Sequence, residues 1–262
     1  MDGGLGIMSE NTQIVDKKPQ SFSEVLTTSL VEVKDALPQD FNITRFVQNS
    51  VALLNENEQL SKFAQTYGTG QIKQGLMRGS YLGLDFMSKE AYLIPYGNKL
   101  NFMVDYRGSK KLAKKYSIRP IKDIYAKVVR QGDVFEETIV AGKPTINFTP
   151  KPFNDGAIIG AFACVLYKDG GMEYDTMTLK ELENTRRHSK ASNSMAWKDF
   201  TGEMYKKTVL HRLCKHIEID FENANQRQIF NDDAVLSNES EKTEVPDIDD
   251  VIEVVDGEVV DG

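Results

Sequence analysis

Apolar residues keep helical spacing near both ends of the chain and alternate with polar ones between. In SFSEVLTTSLVEVKDALP, Val25, Leu26, Leu30 and Val33 share one helix face, which predicts a helix that stops before Pro38. NITRFVQNSVALLNEN predicts a second, with Phe46, Val47, Val51 and Leu54 inward, and QIKQGLMRGSYLGL a third, weakened by its glycines. From residue 90 the period shortens. EAYLIPYGNKLNFMV reads as two strands around a Tyr-Gly-Asn turn, and DIYAKVVRQ, DVFEETIV, PTINFT, GAIIGAFACVLY and GMEYDTMT as further strands. The last two flank Lys-Asp-Gly-Gly, a strong hairpin signal. Thr178 and Glu181 form an expected capping box opening TLKELENTRRH, and the polar loop SKASNSM leads to a long helix, AWKDFTGEMYKKTVLHRLCKHI. The predicted fold class is α+β, a central antiparallel sheet with hairpins, flanked by helices at its N- and C-terminal ends.

Charge divides the chain more sharply than hydropathy does. The formal net charge is −7, yet residues 232–262 carry twelve acids against one lysine. Residues 1–20 contribute −1, which leaves +5 for residues 21–231. The expected organisation is therefore a disordered N-terminal arm (1–20), one core (21–231) and a flexible acidic tail (232–262). No apolar run approaches the ~20 residues that cross a bilayer, and the first residues lack a basic-then-apolar leader. Cys164 and Cys214 stand fifty residues apart in apolar surroundings, without a CxxC, and are expected to be buried thiols in a reducing cytoplasm.

Within the mildly basic core the positive charge is clustered. DYRGSKKLAKKYSIRP gathers Arg107, Lys110, Lys111, Lys114, Lys115 and Arg119, and residues 106–130 hold nine basic residues against one acid, Asp123. If 105–116 is helical, Leu112, Ala113 and Tyr116 form an apolar edge and the cations point elsewhere. Arg186, Arg187 and Lys190 lead into the polar loop, and Lys198, Lys206, Lys207, Arg212 and Lys215 stud the long helix. Either cluster alone fits a solvated helix face. Two clusters with interspersed aromatics fit a groove for a sugar–phosphate chain, where neutralising phosphates gives sequence-independent, salt-sensitive affinity. Trp197 either stacks on a base or heads the apolar side of its helix.

Catalytic signatures are missing from the sequence. There is no GxxxxGK[ST], HExxH or GxSxG, and no zinc-like Cys/His spacing. His211 and His216, five apart, are poorly placed to share a helix face and are expected at the surface or facing a partner. The reading favours binding over chemistry, with no catalytic and no metal-binding residues assigned.

Two segments carry a resemblance. LGLDFMSKEAYLIPYGNKLNFMVDYRGSKKLA, with Pro95-Tyr96 in its hairpin and Tyr106-Arg107-Gly108 opening the basic helix, resembles the RecT family of phage single-strand DNA annealing proteins. WKDFTGEMYKKTVLHRLCK is similar to the family's other signature, through Trp197, Glu203-Met204, Lys206-Lys207-Thr208 and Arg212-Leu213-x-Lys215. The match spans roughly residues 40–220. Asp85-Phe86 departs from a frequent Leu-Pro, Asp105 from a common glycine, and His211 from a frequent arginine.

The resemblance implies an ATP-independent protein that coats single-stranded DNA and anneals complementary strands in phage-type homologous recombination. Residues 21–231 would be its DNA-binding and oligomerisation core. No cofactor is implied, Mg²⁺ at most as an aid to annealing. The implied partners are single-stranded DNA, the annealed duplex, further copies in a ring or helical filament, a 5′–3′ exonuclease and the host single-strand-binding protein, all in the cytoplasm of a bacterial host and none at a membrane. Arg107, Lys110, Lys111, Lys114 and Lys115 would line one wall of the groove, and Lys198, Lys206, Lys207 and Arg212 the other. Arg186, Arg187 and Lys190 would form a loop lid, with Tyr106 and Trp197 touching sugar or base. The rival readings are a passive single-strand coat, a metal-dependent nuclease and a scaffold for acidic proteins.

Overall fold

A computed structural model describes residues 20–189, 192–193 and 195–239, and shows an α+β fold. The expected N-terminal arm, apart from Gln20, and the tail from 240 onward lie outside the described residues. Helix α1 (Phe22–Glu32) opens with a reciprocal capping box between Ser21 and Glu24, and a short 3₁₀ turn (Lys34–Ala36) carries the chain to Pro38. Helices α2 (Ile43–Glu56), α3 (Glu58–Tyr67) and α4 (Gly70–Leu82) follow, with Asn42 and Asn57 capping the first two. The hairpin β1 (Ala91–Tyr96) and β2 (Lys99–Val104) lies directly on α4. A Cβ on Gly75 would come within 2.4 Å of Leu93, and one on Gly79 within 2.5 Å of Phe86. The two glycines that weaken α4 as a helix are therefore the seat on which the hairpin and the loop before it rest.

Helix α5 (Tyr106–Tyr116) leads into the strands β3 (Ile121–Arg130), β4 (Val134–Val140), β5 (Lys143–Thr149), β6 (Ile158–Tyr167) and β7 (Met172–Thr178). They form the expected antiparallel sheet and hairpin as separate units. β3, β6 and β7 make a three-stranded antiparallel sheet with β6 in the middle, while β4 and β5 pair only with each other. The alternation along β6 explains both neighbours. Ala161, Ala163, Val165 and Tyr167 face a core shared with helix α8 (Thr201–His216), and Phe162 and Cys164 face the β4–β5 hairpin. Three rings, Tyr125, Phe135 and Phe148, pack around Phe162 at centroid distances of 5.1–6.3 Å.

Helix α6 (Leu179–His188) starts at the predicted Thr178–Glu181 capping box. The expected long helix is broken at Phe200 into α7 (Met195–Asp199) and α8. The Thr201 hydroxyl donates to the Trp197 carbonyl (2.7 Å), the kind of back-bonding that bends a helix. A last helix, α9 (Ala224–Glu239), runs through the boundary that charge composition places at 231. Its buried Gln226 donates to the Tyr81 carbonyl (3.0 Å) and the Tyr116 hydroxyl (3.4 Å), tying it to α4 and α5. Among the described residues no helix is long and apolar enough to cross a membrane.

Candidate nucleic-acid interface

Helix α5 begins where the sequence places its tightest constraint. The Asp105 carboxylate accepts from the Arg107 amide (3.0 Å), capping the helix, and the Asp105 amide donates to the Glu90 carbonyl (3.0 Å). A Cβ on Gly108 would lie 2.1 Å from that same Glu90 carbonyl oxygen. The glycine of the Tyr-Arg-Gly run thus lets the first turn of α5 rest against the start of the hairpin. Gly108, Ser109, Leu112, Ala113 and Tyr116 are buried. With 3.6 residues per turn, Lys110, Lys114, Arg107, Lys111 and Lys115 fall on one continuous opposite arc.

Helix α8 packs beside α5, and this brings parts of the two basic clusters together. Lys207 places its ammonium 5.4 Å from the Tyr106 ring centroid, and the Arg107 guanidinium lies 5.7 Å from the same ring. Arg107 Nε also donates to the Tyr106 hydroxyl (3.3 Å). One turn on, Ser109 Oγ meets His211 Nδ1 at 3.5 Å. His211 is therefore a seam residue and not the surface histidine expected. Burial, reinforced by Lys215, pushes its pKa down to about 4, so the ring is neutral at neutral pH. His216 is exposed. Burial pushes the Cys214 thiol up to about 12, slightly offset by nearby Lys110. Burial also raises the Asp105 carboxyl above its ordinary range, against the Arg107 amide and the charges of Lys207 and Arg107.

The α5 lysines are not as bare as the local sequence implies. Asp123 on β3 faces both Lys114 (3.3 Å) and Lys110 (4.0 Å). Lys111 pairs with Glu90 (2.6 Å) and donates to the Gly83 carbonyl (2.9 Å). Lys115 pairs with Asp40 (3.2 Å). The Lys115 ammonium holds the Asp40 carboxyl below the usual range, and the Ile124 amide followed by Lys114 does the same for Asp123. Glu90 and Asp40 come from distant segments and give no local signal. Asp123 was visible as the lone acid of its stretch.

Other cations of the expected groove are engaged inside the fold. Arg212 makes a bidentate contact with Asp175 (2.5 Å for each bond) and donates to the Thr176 carbonyl, clamping α8 to β7. Arg186 pairs with Glu183 (3.6 Å), donates to the Ser192 carbonyl (3.2 Å) and lies 5.6 Å from the Trp197 ring, so it holds the loop down. Trp197 is 3% exposed and packs on Tyr205 at 6.0 Å: of its two readings, the core one describes the structure. Lys206 pairs with Glu203 on its own helix (2.5 Å), and Arg187 and Lys198 are exposed. Lys190 lies outside the described residues. The site that emerges is a ring, Tyr106, flanked by Arg107 and Lys207, at one end of the α5 lysine arc. Sequence reasoning missed Ser109 and His211 as the groups joining the helices; only their seating on one seam distinguishes them.

A cationic arc ending at an aromatic face has the chemistry to hold phosphates and to rest a base or sugar on the ring. Among the described residues no group of three or more His, Cys, Asp or Glu is placed to hold a metal ion. The chain is 34% identical over 156 residues to Protein RecT of Escherichia coli strain K12, an alignment covering 56% of this chain and 55% of that relative. It thus spans about half the length of the curated relative it matches. The profile of the RecT family matches residues 44–247, a segment that contains the hairpin, the basic arc and α8. The chain belongs to the RecT family.

Proposed function

We propose that this chain binds single-stranded DNA along the α5–α8 face and anneals it to a complementary strand in phage-type recombination, without ATP and without a covalent step. The observation that carries this reading is the convergence of Arg107 and Lys207, a hundred residues apart in sequence, on the Tyr106 ring. The lysine arc of α5 continues from that ring along an exposed helix face. Cations spaced along a helix neutralise phosphates whatever the base sequence, and they lower the repulsion between two strands brought side by side. Contacts to the backbone position a strand and leave recognition to base pairing.

In this reading residues 21–231 act as the core, further copies extend the groove into a ring or filament, and no cofactor is required. The single strand is supplied by a 5′–3′ exonuclease and handed over beside the host single-strand-binding protein in the bacterial cytoplasm. The deciding experiment mixes dye-labelled complementary oligonucleotides with the full chain, with no ATP present. Faster quenching than for the oligonucleotides alone is the expected result. Binding without acceleration would make the protein a passive coat, and cleavage on adding Mg²⁺ would make it a nuclease.

A further inference from the structure

The stripe of α8 that meets α5 does not end where α5 begins. Lys207 lies against Tyr106 (5.4 Å to the ring centroid) and His211 against Ser109 (3.5 Å), so the two helices run side by side in the same direction. Phe200 stands seven residues before Lys207, two turns back on the same face and about 10 Å further along the axis. Helical hydrogen bonds span the bend there: the Phe200 amide donates to the Ala196 carbonyl (3.1 Å) and the Met204 amide to the Phe200 carbonyl (3.1 Å). Beyond the first turn of α5 the stripe has left its partner helix, and Phe200 is 60% exposed.

The local fold does not explain a ring at this position. Phe200 is the N-cap of α8, a place that favours Ser, Thr, Asp or Asn, and its side chain makes no capping bond. Among the described residues no aromatic ring packs against it, whereas Trp197, three residues earlier, is buried on Tyr205. Glu203, the acid one turn on, is already paired with Lys206 (2.5 Å). We propose that Phe200 is a second stacking platform for a nucleobase of the strand held at Tyr106. This rests on the DNA-binding reading and adds a contact to the face of a base. The offset of about 10 Å corresponds to roughly three nucleotides at the 3.4 Å rise of a stacked strand. A ring stacked on the face of a base leaves its pairing edge free, so the strand is gripped without blocking annealing.

The test measures binding of the full chain and two variants to a short oligothymidylate and to an abasic strand of equal length, across a salt titration. Phe200→Leu keeps apolar bulk and removes the ring, while Phe200→Tyr keeps the ring. Phe200→Leu is expected to bind the oligothymidylate about tenfold more weakly with an unchanged salt slope, because the lost contact carries no charge. Phe200→Tyr is expected to bind like the parent, and all three proteins to bind the abasic strand alike. Equal affinity of Phe200→Leu and the parent for the oligothymidylate would overturn the proposal, as would an equal loss on the abasic strand. A loss that comes with smaller assemblies in size-exclusion chromatography would make Phe200 a contact between copies, which also overturns it. If the parent binds neither strand, the DNA-binding reading fails first and takes this contact with it.

Discussion

Arg107 and Lys207 differ from the other cations of the face in what holds them. Both lean on a tyrosine ring, whereas Lys111 has a carboxylate at 2.6 Å and a backbone carbonyl at 2.9 Å. Replacing Arg107 and Lys207 together by alanine is expected to flatten the salt dependence of single-strand affinity by roughly 1.4 in log–log slope. Lys111→Ala should change that slope little and lower thermal stability instead. Equal slopes for the two variants in a fluorescence salt titration would remove the Tyr106 end from the interface. His211 offers a separate handle. Its folded pKa, about 4, lies below the unfolded value near 6.5, so the unfolded chain binds the extra proton between these limits. Stability is therefore lost as pH falls from about 6.5 to 4, by at most about 3 kcal/mol from this ring. The raised Asp105 carboxyl acts in the opposite sense. His211→Gln isolates the histidine: its urea midpoint should fall less steeply than the parent's over that range, and parallel curves would contradict the burial of the ring.

At the scale of elements, α5 is the piece on which site and fold depend together. Leu112 and Tyr116 belong to the core of the N-terminal helices and the β1–β2 hairpin, and Ala113 to the core between α8 and the sheet. Gly108→Ala discriminates between local and tertiary control. In an exposed helix the change would stabilise by about 1 kcal/mol. Here the new methyl meets the Glu90 carbonyl, and a net loss of about 1–3 kcal/mol is expected by denaturant melting. A gain would show that α5 does not sit tightly on the hairpin. This glycine was readable as part of a motif, but its reason was not, because Glu90 is eighteen residues away in sequence. The same holds for whole elements. Strong alternation made β3 to β7 legible, and the capping box made α6 so. Helix α3 fully buries only Leu60 and Phe63 on a polar ten-residue helix, too little period to stand out. Helix α9 hides its anchor in a buried glutamine, a residue that composition reads as solvent-facing.

Over the whole molecule the described chain holds two large cores that share α5 and Ile219. The lone tryptophan, Trp197, reports on the sheet side, while α1 to α4 dominate the other. If α5 couples them, urea transitions followed by tryptophan fluorescence and by far-ultraviolet circular dichroism should coincide. Separate midpoints would mean that the halves unfold independently. Long-range placement is also what the sequence could not convey about charge. Residues 106–130 read as nearly unopposed cations, and it takes the fold to bring Asp40 and Glu90 onto them.

Those resident carboxylates change what capture of a nucleic acid involves. A lysine already sitting on Asp123, Glu90 or Asp40 has few condensed ions of its own to give up. Taking hold of a strand becomes an ion-exchange event inside the protein, with carboxylates set loose as phosphates arrive. The affinity of the face should then fall off with ionic strength more gently than a tally of its positive side chains would suggest.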